Sequence, residues 1–206
     1  TSLLHIPYRR TFENVFTFGD LDYAPLDRGG VAAVNRRLDA RHPVERLSWF
    51  FRSSASLEYN RLDQWTNTYF SSHSPSTTLP YPVGNPRAFY QQLKLLIAGK
   101  DREALASPLV WEGAETHAKD DHTAPLGIGS MDWTLGDRFG QRHPAPRQPE
   151  GTVNFTTADR PTLYLELAPV AVNPFLAQRL TEMRVFMDGW NVYEVQDGRG
   201  RPMFAN

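Results

Sequence analysis

The sequence predicts an all-β fold, a sandwich of seven or eight short strands with long inserted loops. Three observations carry that prediction. Apolar residues recur mostly at a spacing of two, sixteen prolines and fourteen glycines punctuate the 206 residues, and aromatic residues reach 12%. Alternating segments between frequent breakers suit strands joined by turns. Antiparallel strands that bury one face need a second layer over it, hence a sandwich.

Taken in order, TFENVFTF places Phe12, Phe16 and Phe18 on one side of a strand, with Glu13 and Thr17 opposite. The following DLDYAPLDRGG reads as a turn-rich loop broken by Pro25, Gly29 and Gly30. ERLSWFFRSSASLEY gives Leu47, Trp49 and Phe51 on one face and Ser48, Phe50 and Arg52 on the other, an aromatic-rich alternation typical of a strand. Pro43 fits the first position of that strand or the turn ahead of it. Residues 66–86 read as loop, with four prolines, many hydroxyls and little periodicity.

RAFYQQLKLLIAGKD carries two periods. Phe89, Leu93 and Leu96 sit at helical spacing, while Leu93, Leu95 and Ile97 alternate. The reading is a turn of helix feeding a short strand that ends at Gly99. Residues 102–124 form a second irregular insertion, with a helical turn at REALA.

PLGIGSMDWTL alternates Met131, Trp133 and Leu135, and RHPAPRQPEG is a bend with Pro144, Pro146 and Pro149. GTVNFTTAD, PTLYLELAP, LTEMRVFMD and WNVYEVQDG are four strand candidates in succession. In the second, Leu163, Leu165 and Leu167 face one way, Tyr164 and Glu166 the other. Asp159-Arg160-Pro161 connects the first two, and Asp188-Gly189 is expected to turn a hairpin between the last two. There is no short internal repeat, and neither proline-rich segment divides the chain into separate periodic cores, so residues 1–206 are read as one domain.

Composition excludes several function classes. With 22 Lys+Arg against 23 Asp+Glu the formal charge is -1, which argues against a general polyanion-binding surface. Only Lys94, Lys100 and Lys119 are lysines, and an arginine-dominated basic set suits protein–protein contact. Absence of cysteine removes disulfides, thiolate metal sites and thiol nucleophiles. No run of eighteen apolar residues suggests a transmembrane helix, and TSLLHIPYRR lacks the apolar core of a signal peptide.

No catalytic, cofactor-binding or metal-binding residues are assigned. The histidines His5, His42, His73, His117, His122 and His143 form no HExxH or HxH pair. ETHAKDDHT, with His117, Asp120, Asp121 and His122, is the best metal candidate available, but it reads as a polar loop that contains two histidines. There is no GxSxG, and Ser107 and Ser130 read as ordinary serines. Glu58 with Asp63, or Glu150 with Asp159, read as solvated pairs rather than catalytic ones. Gly99-Lys100 lacks the rest of a phosphate loop. Arg9, Arg10, Arg36, Arg37, Arg41, Arg138, Arg142 and Arg147 have acidic neighbours and read as solvated or interfacial. Asn154-Phe155-Thr156 matches a glycosylation acceptor, but its place in an alternating strand argues that it is silent. Trp49 and Trp133 read as core. Trp65 and Trp111, with Tyr69 and Tyr81, are the rings a carbohydrate-binding module would expose, which keeps that second reading open.

Four segments, in order, resemble a known family. HPVERLSW at 42–49 resembles the HPVKELIW stretch of major capsid proteins from large nucleocytoplasmic double-stranded DNA viruses. LLIAGKDR at 95–102 resembles that family's LxLNGxDR segment, and GTVNFTTAD at 151–159 its SGxxNFSRxD strand. VYEVQDGRG at 192–200 is similar to its closing NVLRIxxGxG. Ser48 and Phe50-Phe51 depart from the family's IWVI run, and EALASPLVWEGAETHAKDDHT replaces its PYxHHT region, which marks a divergent member.

The resemblance covers roughly residues 40–200. It implies an eight-stranded jelly roll, and it implies that this chain, which lacks an initial Met, is the C-terminal half of a double jelly-roll protein. It further implies no enzyme activity and no cofactor. The expected partners are two further copies in a homotrimeric, pseudo-hexameric capsomer, neighbouring capsomers and minor capsid proteins, with no specific nucleic acid. The expected place is an icosahedral virion shell assembled in the host cytoplasm. Trp49, Leu95, Phe155 and Leu165 are expected to hold the sandwich, and the loops at 66–86 and 102–124 to meet neighbours or form an outer crown.

Overall fold

Ten strands and one short helix account for most of the residues that the computed structural model describes, which are 3–39, 41–53, 88–115, 127–134, 151–158, 160–168 and 180–203. The strands are β1 (Leu4–Thr17), β2 (Ala33–Arg37), β3 (Pro43–Ser53), β4 (Tyr90–Ile97), β5 (Lys100–Asp101), β6 (Ile128–Asp132), β7 (Val153–Asn154), β8 (Thr162–Leu167), β9 (Leu180–Gln196) and β10 (Arg199–Pro202). They form two sheets. One runs β1-β9-β3-β6, with β10 beside β9 and β7 beside β3; the other runs β2-β8-β4-β5. The chain repeatedly leaves one sheet for the other, so sequence neighbours face each other across the core. All ladders are antiparallel. The all-β sandwich is borne out.

Its core is the alternation made solid. Leu47, Trp49, Phe51, Met183, Val185 and Met187 from the first sheet meet Leu93, Leu95, Leu163, Leu165 and Leu167 from the second, all at 0–1% exposure. Burying each such side chain stabilises the fold by about 1.5–3 kcal/mol before ordering entropy is counted. Phe155 is also buried, so all four side chains expected to hold the sandwich do so.

Five local expectations change. DLDYAPLDRGG contains a helix, α1 (Asp20–Asp27), rather than only loop. The Gly19 N–H donates to the Asp22 carboxylate at 3.0 Å, the Asp22 N–H returns to the Gly19 carbonyl, and the buried Tyr23 anchors the helix. Pro25 costs little because a helix of eight residues has few interior N–H bonds to lose. The described run at 88–101 has no helical turn; Tyr90–Ile97 is all strand, and it ends at Ala98-Gly99, where two positive φ angles turn the chain into β5.

The helical turn of the insertion is Leu109–Ala114, not 102–106. Pro108 caps it, where a missing N–H is harmless, while Ala106 bridges to Leu93. GTVNFTTAD keeps only two paired residues, because the Asn154 side chain accepts the Thr156 N–H at 3.0 Å and diverts the backbone into a turn.

The last correction is the largest. Asp188-Gly189 turns no hairpin; β9 runs straight through it for 17 residues, pairing Gly189 with Arg10 on one side and Val44 on the other. The reversal comes instead at Asp197-Gly198, both at positive φ. The expected features at 54–87, 116–126 and 135–150 lie outside the described residues.

Candidate assembly surface

The candidate chemistry does not gather into a site. Among the described residues no group of three or more His, Asp or Glu side chains is placed to hold a metal ion. Of the ETHAKDDHT stretch only Glu115 is described, and its carboxylate accepts the Asp132 N–H at 3.4 Å. Ser107 uses its carbonyl to receive the amides of the helical turn, and Ser130 lies on the outward side of β6 opposite Ser48. Glu58, Asp63, Glu150 and Asp159 lie outside the described residues, as do Trp65, Tyr69 and Tyr81.

Trp111 is not a presented ring. It is buried, its Nε1 donates to the Leu93 carbonyl at 3.0 Å, and it meets Trp49 edge-on. That burial removes it from any sugar-binding platform. Trp133 is half-buried against Phe155 and donates to Glu103 at 2.8 Å.

Many of the arginines are committed to carboxylates or rings. Arg9 pairs with Glu45 at 2.9 Å and lies over Trp190, Arg36 pairs with Asp22 and lies over Phe18, and Arg46 pairs with Asp132. Arg10 lies over Phe12. A basic strip for nucleic acid would need such groups free to meet phosphates.

Three buried acids tie neighbouring elements together, Glu45 and Asp132 within the larger sheet. A bulge in β3 at Glu45 turns its side chain inward, where it accepts the Trp190 indole N–H and the Arg9 ion pair. Burial opposes ionisation of Asp132, but the Thr134 N–H and O–H and the Arg46 guanidinium outweigh it and hold the carboxyl below its ordinary value. Glu112 is the reverse. Burial pushes its carboxyl up, and only the Gly127 amide and Tyr90 hydroxyl act against that. His42 sits against Phe12 at φ 79, and burial lowers its tendency to protonate.

What the molecule does present is apolar and aromatic surface. Beyond the sandwich, the start of β1, the end of β9 and β10 form a three-stranded ribbon. Register puts Leu4, Ile6, Tyr193, Val195 and Pro202 on one of its faces, with Leu4, Ile6 and Tyr193 exposed. The other face is polar: Glu194 accepts Arg201 at 3.0 Å and contacts His5 at 3.3 Å. On the outward side of the larger sheet Phe50 and Phe186 stack at 5.8 Å, Arg52 covers Phe50, and Arg184 bridges Glu13 and Glu182. Leu109 and Val110 add exposed apolar groups on the insertion. Contiguous apolar surface with aromatic and arginine groups is the composition of protein interfaces. The ribbon and the Phe50–Phe186 stack were missed from sequence; only the β1–β9 and β3–β9 registers reveal them.

A jelly-roll-like sandwich that presents contact surface, with several of its described acids and arginines tied to one another, has the character of a structural protein. Comparison with known proteins agrees. No protein-family profile matches the chain. Over 198 residues it is 25% identical to the major capsid protein of Paramecium bursaria Chlorella virus 1, covering 85% of this chain and 44% of that one. The chain therefore spans less than half the length of that relative.

The Paramecium bursaria Chlorella virus 1 capsid structure matches 98% of this chain and 52% of that one at TM-score 0.68 and 20% identity. The Faustovirus major capsid protein matches 92% of this chain and 33% of its own at TM-score 0.58 and 12% identity. These two likenesses are likenesses of fold. With the sequence match, they bear out the resemblance to major capsid proteins of large nucleocytoplasmic DNA viruses read from the four ordered segments, and those proteins are structural, not enzymes.

Proposed function

We propose that the chain is the C-terminal jelly roll of a double jelly-roll major capsid protein. In this reading three copies of the whole protein form a pseudo-hexameric capsomer, and capsomers tile the icosahedral shell of a virion assembled in the host cytoplasm. The observation that carries it is the 25% identity to a major capsid protein over 85% of this chain, matched to less than half of that protein. One sandwich of this size is what half of such a protein would supply. The ribbon and the Phe50–Phe186 stack support the reading as contact surface, since a shell protein works through complementary faces.

Sedimentation of the full-length protein tests it. Trimers are expected, and symmetric particles at higher concentration. A monomer that stays monomeric at high concentration would overturn it.

A further inference from the structure

Residues 109–115, between β5 and β6, are held at two neighbouring points. Trp111 donates to the Leu93 carbonyl, and Glu112 Oε2 accepts the Gly127 N–H at 2.9 Å just ahead of β6. Both side chains are buried. Among the described residues the second carboxyl oxygen, Glu112 Oε1, is buried without a hydrogen-bond partner, and so are the Tyr90 hydroxyl and the Trp49 Nε1. Tyr90 lies near enough to both Glu112 and Trp49 to act on them, yet outside hydrogen-bond geometry. Unmatched polar groups from β3, β4 and the insertion thus converge beside one carboxyl.

Among the described residues no positive charge answers it: Tyr90 on β4 and Trp49 on β3 are neutral, Gly127 just before β6 offers its amide, and Glu112 has no ion pair. Glu115, one turn on, is directed to the Asp132 amide, and Asp132 is itself answered by Arg46 and Thr134. A carboxylate buried with so few donors is costly, whereas the neutral acid can both accept from Gly127 and donate towards Tyr90.

We propose that Glu112 makes the docking of residues 109–115 onto the sandwich proton-dependent, held down in acid and released as the pH rises. The device stands independently of the capsid reading. The sign follows from linkage. Burial raises the docked carboxyl above its ordinary value, while an undocked Glu112 in water returns to it. Docking is therefore fully favoured below the ordinary glutamate value, and undocking sheds a proton above it. Within that window the docking equilibrium weakens roughly tenfold per pH unit.

Hydrogen exchange at the amides of residues 109–115, corrected for intrinsic chemistry and followed from about pH 4 to about pH 8, reads this directly. Protection in the wild type is expected to fall roughly tenfold per pH unit through the window. In Glu112→Gln, which mimics the neutral acid, it is expected to stay flat and to exceed wild type at neutral pH. Tyr90→Phe removes the neighbouring hydroxyl that acts against the raised carboxyl, so the upper end of its transition is expected to move to higher pH. A flat wild-type profile, a Gln variant that follows the wild-type course or loses protection at every pH, or a Phe variant with an unmoved transition overturns the proposal.

Discussion

Gly189 lies so close to Pro43 that a Cβ on it would stand 2.7 Å from the Pro43 carbonyl oxygen. The atom in the way is backbone at the start of β3, which cannot swing aside as a side-chain tip could. Gly189→Ala is expected to cost about 1–3 kcal/mol, the usual range for overfilling a packed interior. Urea unfolding checks it against Gly113→Ala, whose Cβ would meet only Leu109 at an ordinary 3.7 Å. That control should shift stability by no more than about 0.5 kcal/mol. Equal midpoints for the two variants would show that the close approach is absent.

The same crossing carries Glu45, which the β3 bulge turns towards Trp190 and Arg9. Glu45→Ala leaves a buried indole N–H without its acceptor and should cost about 2–3 kcal/mol. Arg9 is 40% exposed at its side chain, so Arg9→Ala should cost under about 1 kcal/mol. Unfolding midpoints of the two variants, read by tryptophan fluorescence, give the ranking. If Arg9 proves the costlier loss, the anchor is the ion pair and not the indole.

Period-two alternation made the strands around Trp49, Leu95 and Leu165 legible, because each buries one face. It could not show where a strand stops. Asp188-Gly189 has the composition of a turn, yet the glycine serves a close approach and the true turn lies at Asp197-Gly198. α1 was hidden because Pro25 and the Gly29-Gly30 pair mask a helix held by one buried tyrosine. The ribbon's apolar face was illegible for another reason. Leu4, Ile6 and Tyr193 lie at opposite ends of the chain and become one surface only through β1–β9 pairing.

Trp111 shows the same limit at one residue. In sequence it stands in an irregular insertion and reads as available for contact; in the fold it is a plug with a bonded nitrogen. Trp111→Phe keeps most of the volume and should cost only about 1 kcal/mol for the lost indole hydrogen bond, since the Leu93 carbonyl still accepts the Ala106 N–H at 3.1 Å. Trp111→Ala should cost about 3–5 kcal/mol. Thermal unfolding of both checks the order. A wild-type stability for Trp111→Ala would return this ring to the surface.

Asp132 supplies the opposite pH response to Glu112. Burial raises its carboxyl, but Thr134 and Arg46 outweigh that and hold it below the ordinary value. A depressed folded value contributes stability that is complete above the unfolded value, about 3.9, and is lost as the pH falls through the folded one. Asp132→Asn lacks that proton linkage. It also leaves Arg46 without its anion, so at neutral pH it should cost on the order of 3 kcal/mol. The gap between wild type and Asp132→Asn should therefore be widest above about pH 5 and should narrow steadily on acidification. Unfolding midpoints measured across that range decide it. A gap that does not change with pH would mean that the Thr134 and Arg46 contacts do not favour the ionised form, and that Asp132 holds β6 by shape alone.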